Sequence, residues 1–140
     1  MKTLTALLLA AFILAGCGGL EKKIVGAWKV DTGKTVMTGD AVKDEETKKM
    51  VMAMMGTITL DIKEDKTFEM KVIMPITGTW ALTGNKLVLT PNKEKGESFS
   101  FGGKDTMDFT VDASGDSMSS TIEDKQNGGT LVMVKSEPAK

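Results

Sequence analysis

The 140-residue chain contains no arginine, no histidine and no tyrosine, and its single cysteine is Cys17. Each absence removes a class of chemistry. Without histidine there is neither a Ser-His-Asp triad nor an imidazole-ligated zinc site. Without arginine there is no planar fork to grip phosphate or carboxylate bidentately. One cysteine excludes an internal disulfide, so a folded domain must hold together by packing. The formal net charge is −1, which leaves no basic surplus to bind nucleic acid through its phosphates. Carboxylates and lysines remain as possible catalytic groups. No two carboxylates stand in an arrangement that argues for hydrolysis, so the expectation is a protein without catalysis and without a cofactor.

What is present begins at the N-terminus. Lys2 supplies a short positive region, and Leu4 to Leu14 form an apolar run broken only by Thr5. Such a run is too short to be a permanent span and has the shape of an export signal. It ends in Leu14-Ala15-Gly16-Cys17, which resembles the lipobox of bacterial lipoproteins. The resemblance implies diacylglyceryl transfer to the Cys17 sulfur, with the thiolate as nucleophile, and cleavage just before it. The alternative is an ordinary secretory signal with a chance cysteine. The organisation implied is a signal peptide over 1–16, a lipidated tether over 17–23, a β domain over 24–135 and a frayed tail over 136–140. The implied location is the bacterial cell envelope, with the membrane as a partner through the lipid on Cys17. Gly18, rather than Asp, resembles the outer-membrane sorting pattern of enteric bacteria. Removal of 1–16 leaves 124 residues, with 17 lysines against 19 acidic residues; this is one domain, long enough to bury a core.

Hydrophobic periodicity divides that domain. A first strand is expected from Ile24 to Val30, with a possible extension to Met37. Ala41–Met55 reads as a helix capped by Asp40, with acids early, lysines later and Gly56 at its C-terminal cap. Its apolar stripe is Thr47, Met50, Val51, Met54 and Met55. From Thr57 the period changes to two. Ile58, Leu60 and Ile62 alternate with polar residues, as do Phe68, Met70, Val72 and Met74 after a turn at Glu64-Asp65. Trp80 and Leu82 continue the inward set, and Gly84-Asn85 is a two-residue hairpin signal into Lys86–Thr90. Pro91–Lys104 is a longer connection in which Phe99 and Phe101 are candidates for a short strand. Met107, Phe109 and Val111 then alternate, and a turn at Ser114-Gly115 leads to Met118, Ser120 and Ile122. Asn127-Gly128-Gly129 reads as a last turn into Thr130–Lys135. About eight short antiparallel strands joined by hairpins must close on themselves or cover one another. The expected fold is therefore mainly β: an up-and-down barrel, or a half-open one, with one helix inserted after the first strand and lying over one end.

Gly26-Ala27-Trp28 resembles the G-x-W motif that opens lipocalins. Ile58 to Leu89, with Thr67-Phe68, Gly78-Thr79-Trp80-x-Leu82 and Leu87-Val88-Leu89, is similar to small lipocalin-like domains of bacterial envelope lipoproteins. The chain departs from true lipocalins in the early helix, and in lacking the Arg that stacks on the first-strand Trp. The resemblance implies binding of a small apolar ligand or an envelope protein partner. The candidate ligand residues are Met50, Met54, Phe68, Met70, Met74, Trp80, Met107, Phe109 and Met118, with Ser120 the one clear polar inward residue. The same residues can equally be a filled core. Met50, Met52, Met54 and Met55 offer thioethers, so a Cu(I) site is the alternative, set against methionine as a filler of irregular apolar space. Asp105, Asp108, Asp112, Asp116, Glu123 and Asp124 lack the dense spacing of a calcium loop and read as a solvated face.

Overall fold

The computed structural model describes residues 19–92, 104–123 and 127–136, with Ala41 described in its backbone alone. Residues 19–24 are helical (α1). Strands β1 (Gly26–Val30) and β2 (Val36–Gly39) follow, then a 3-10 turn at Asp40–Val42 and helix α2 (Glu45–Met55). The remaining strands are β3 (Thr59–Ile62), β4 (Thr67–Lys71), β5 (Pro75–Thr83), β6 (Lys86–Pro91), β7 (Met107–Val111), β8 (Ser117–Glu123) and β9 (Asn127–Lys135). Neighbours pair antiparallel from β3 through β9, β1 pairs β3, and β9 returns to β1. The sheet is thus a closed eight-stranded up-and-down barrel. The expectation of a barrel with a helix after the first strand holds, and the half-open form does not.

β2 is the ninth strand, and it continues β1. Both pair with the single strand β9: Val30 lies opposite Met133 and Val36 opposite Thr130. Residues 31–35 therefore face only 131 and 132, and the excess chain is extruded as a turn. The Asp31 carboxylate holds that turn, accepting from the backbone N–H groups of Gly33 and Lys34 at 3.0 and 3.2 Å. Thr35 repairs the ladder. Its hydroxyl accepts from Val132 N–H at 3.1 Å, while Asp31 N–H donates to the Val132 carbonyl at 2.8 Å. Thr35→Val is isosteric but removes the acceptor from the partly buried Val132 amide. It is expected to lower stability by about 1–3 kcal/mol in chemical denaturation with the fold retained.

The helix differs from expectation in two respects. It begins at Glu45, and its cap is Asp44 rather than Asp40. Asp44 accepts from Thr47 N–H and Thr47 Oγ1, each at 2.7 Å, and these bonds hold its carboxyl below the usual aspartate value. Gly56 caps the other end as expected, its N–H donating to the Met52 carbonyl at 3.0 Å. The inward stripe is also turned around the axis. Met55 is buried and Thr47, Val51 and Met52 are half-buried, whereas Met50 and Met54 are 70% and 49% exposed.

Asn127-Gly128-Gly129, expected as a turn, is the start of β9. Gly129 lies opposite Met37, and a Cβ there would overlap the Val36 carbonyl oxygen. The glycine serves the close approach of β2. Residues 19–23, expected as tether, belong instead to α1, which plugs one end of the barrel. Ile24 is fully buried, and its carbonyl accepts from Trp28 Nε1 at 2.8 Å.

The two barrel ends differ. At the lower end lie α1 and the β3–β4, β5–β6 and β7–β8 hairpin turns, with Gly84-Asn85 and Ser114-Gly115 as expected. At the upper end lie α2 and the bend at 72–74 between β4 and β5. The core between them is drawn from alternate residues of every barrel strand, including Trp28, Leu60, Phe68, Trp80, Leu89 and Phe109.

Candidate functional site

The barrel interior is the site to which the alternating pattern points, and the strands deliver it as expected. Phe68, Met70, Trp80, Met107, Phe109 and Met118 all point inward and are buried. They are joined there by Leu87, Leu89, Leu131 and Met133. Ser120 is buried among them, as expected; Thr35 is a second buried polar residue. The inside of an eight-stranded barrel is just wide enough to be filled by its own side chains. Twelve large side chains are almost wholly sealed from solvent here, Trp28, Phe68 and Phe109 the bulkiest.

The other three candidates lie elsewhere. β4 ends at Lys71, so the strand that would carry Met74 inward stops three residues short of it. In the bend that follows, Ile73 is 85% and Met74 63% exposed. Met50 and Met54 share the solvent side of α2, one turn apart. The nine candidates therefore separate into a buried six and an exposed three. The thioethers of Met50, Met52, Met54 and Met55 do not converge either, since Met55 enters the core and Met50 faces water. Among the described residues no cluster of three carboxylate or cysteine side chains is arranged to hold a metal ion. Asp108, for example, pairs instead with Lys86 at 3.2 Å. No described helix is long and apolar enough to cross a membrane.

No known family model matches the chain, and no curated protein matches it.

The wall of the barrel is least well closed between β7 and β8. Their ladder registers only Thr110 with Ser119 and Val111 with Met118, at the lower end. Around it, a cleft of about 380 Å3 lies against residues that include Lys86, Lys104, Asp108, Phe109, Thr110 and Ser119. A smaller one of about 40 Å3 reaches Met107 and Ser120. The larger cleft is open and mainly polar, unsuited to enclosing an apolar molecule.

Each tryptophan is anchored in the same manner. Trp80 Nε1 donates to the Lys63 carbonyl at 2.9 Å, and Lys66 Nζ stands 4.1 Å over its ring. Lys135 Nζ stands 5.2 Å over the Trp28 ring and donates to the Val25 carbonyl. Burial pushes the Lys135 ammonium below the ordinary lysine value, and nearby Asp116 opposes that shift. The chain has no Arg, but a cation does cover the first-strand Trp. Lys135 went unnoticed in the sequence because a cation–π partner on the last strand has no local spacing to betray it. Cys17, residues 1–16, Phe99, Phe101, Asp124 and the tail from 137 lie outside the described residues.

Proposed function

We propose that this chain is a lipid-anchored, lipocalin-like protein of the bacterial cell envelope that acts by binding, without catalysis, and that it docks a protein partner on the upper end of its barrel. The carrying observation is the exposure of Met50, Met54, Ile73 and Met74 at that end while the interior is occupied by core side chains. Large exposed apolar side chains are a marker of protein interaction surfaces, and methionine suits such a surface because it repacks at little cost. The lipocalin-like reading is supported by Trp28 at the start of β1, sealed into the closed end under Lys135. The anchoring reading rests on Leu14-Ala15-Gly16-Cys17.

Site-specific photo-crosslinking in the native envelope tests the docking. A crosslinker at Ile73 is expected to give one discrete protein adduct, and one at Thr79, exposed on the outer wall, none. Ile73→Asp with Met74→Asp should abolish docking while leaving the thermal transition within a few degrees, since neither residue is in the core. No adduct at Ile73, or equal adducts at both sites, would refute the docking surface.

A second reading, a small apolar ligand within the barrel, is favoured by Met70, Met107, Met118 and Met133 in the core and by the short β7–β8 ladder. Fatty-acid binding at micromolar strength, about −8 kcal/mol, with a change in tryptophan fluorescence, would support it.

A further inference from the structure

The path of the chain into the barrel bears on how the molecule stands on its membrane, given the lipidation of Cys17 proposed above. α1 is fastened to the lower rim by three separate contacts. Ile24 is buried and bonded through its carbonyl to Trp28. Glu21 forms an ion pair with Lys66 of the β3–β4 turn. The Lys23 stem lies across Gly115 of the β7–β8 turn, so near that a Cβ on the glycine would meet it at 2.7 Å. Gly19 is two residues after Cys17, and two residues of chain reach no further than about 7 Å. A diacylglyceryl group on Cys17 would therefore hold the lower rim against the membrane interface. The nine-residue β5, at about 3.3 Å per residue and tilted as barrel strands are, carries the upper end some 20 Å further out.

The side chains of the lower rim suit that position. Lys22, Lys23, Lys63, Glu64, Asp65 and Asn85 are exposed there. Among the described residues, none of the exposed large apolar ones, Val36, Met50, Met54, Ile73 and Met74, lies on this rim. Charged and hydrogen-bonding groups of both signs match phospholipid headgroups rather than acyl chains. We infer that the α1-plugged rim is a headgroup-contact surface, and that the barrel stands upright on it with α2 and the β4–β5 bend facing away from the membrane. The anchor thus fixes an orientation as well as a location.

The thioether at Cys17 leaves no free thiol in the lipidated protein, so one introduced cysteine is a unique labelling site. Lipidated protein carrying Asn85→Cys or Ile73→Cys is labelled with a fluorophore and reconstituted into phosphatidylethanolamine/phosphatidylglycerol vesicles containing a headgroup nitroxide lipid. The Asn85 label is expected to be quenched at least threefold more than the Ile73 label. A ten-residue Gly/Ser insertion between Gly18 and Gly19 should erase most of that difference, because a flexible linker of that length spans about 18 Å. Equal quenching at both sites, or stronger quenching at Ile73, in protein that floats with the vesicles overturns the orientation alone. Protein that fails to float, as Cys17→Ser should fail, overturns the anchoring reading and the orientation with it.

Discussion

Met70→Asp is expected to leave the domain unfolded at room temperature, with no cooperative transition by circular dichroism. Met70 is 1% exposed and lies opposite Leu60 on β3 and Ile76 on β5. A carboxyl there is surrounded by apolar side chains, and it costs several kcal/mol either as an unpartnered charge or as a neutral acid protonated at neutral pH and left without hydrogen-bond partners. A domain of this size has only about 5–15 kcal/mol in total. Phe109→Asp is expected to behave alike. Their strand neighbours supply the control. Lys71 makes an exposed pair with Glu69 at 3.7 Å, and Asp108 pairs with Lys86 across β7 and β6. Such pairs contribute about 0–1 kcal/mol, so Lys71→Asp and Asp108→Lys should shift the denaturation midpoint only slightly. Comparable losses at Met70 and Lys71 would mean that the strand register is wrong, since one residue of slip exchanges the two faces.

Gly78→Ala should be among the most damaging of the small substitutions, lowering stability by about 3 kcal/mol or more. Gly78 is in the middle of β5, opposite Phe68 and Pro91. A Cβ there would overlap the Thr90 carbonyl oxygen, come within 2.7 Å of the Phe68 ring and reach 2.8 Å from Pro91 Cα. Two of those obstacles are backbone of the paired strand, and the third is a core ring with nowhere to go. The ladder between β5 and β6 must part to admit the methyl, which sets the cost at or above the usual range for overpacking. Gly84→Ala is the comparison. Nothing lies within 4 Å of its Cβ position, and its φ of +61° carries only the left-handed penalty, about 1–2 kcal/mol. A urea midpoint lower for Gly84→Ala than for Gly78→Ala would contradict this packing.

The fold was legible where local chemistry and the final environment agree. Phe68 and Met70, or Met107, Phe109 and Val111, alternate with polar residues because each strand has one face in the core and one in water, and a period of two has no other reading at that length. Gly84-Asn85 turned as expected because the positive φ at Gly84 is a local requirement. α1 left a fainter signal: Leu20 and Ile24, one helical turn apart, both reach the core, but six residues beside a lipidation signal read as tether.

The candidate site was less legible, and the reason is specific to methionine. In α2, Met50, Met52, Met54 and Met55 are spread around most of the helix, so several stripes fit the same eleven residues. A thioether is tolerated in water and in a core alike, and only docking against the barrel decides that Met55 enters and that Met50 and Met54 remain outside. Met74 continued an unbroken period of two, yet β4 stops at Lys71 because β5, its partner, begins at Pro75.

Composition alone determined that this chain has no imidazole, guanidinium or phenol chemistry and no disulfide, because those depend on side chains being present at all. Periodicity determined the antiparallel strands and most of their inward faces, because alternation is written within five to nine residues. Closure of the barrel, the Thr35 repair of the β1–β2 break, the cations over both tryptophans and the exposed methionines of the upper end were decided by tertiary structure. The first three join residues apart in the chain, Trp28 with Lys135 or Thr35 with Val132. Such pairings depend on where whole strands come to rest, and no local pattern encodes that.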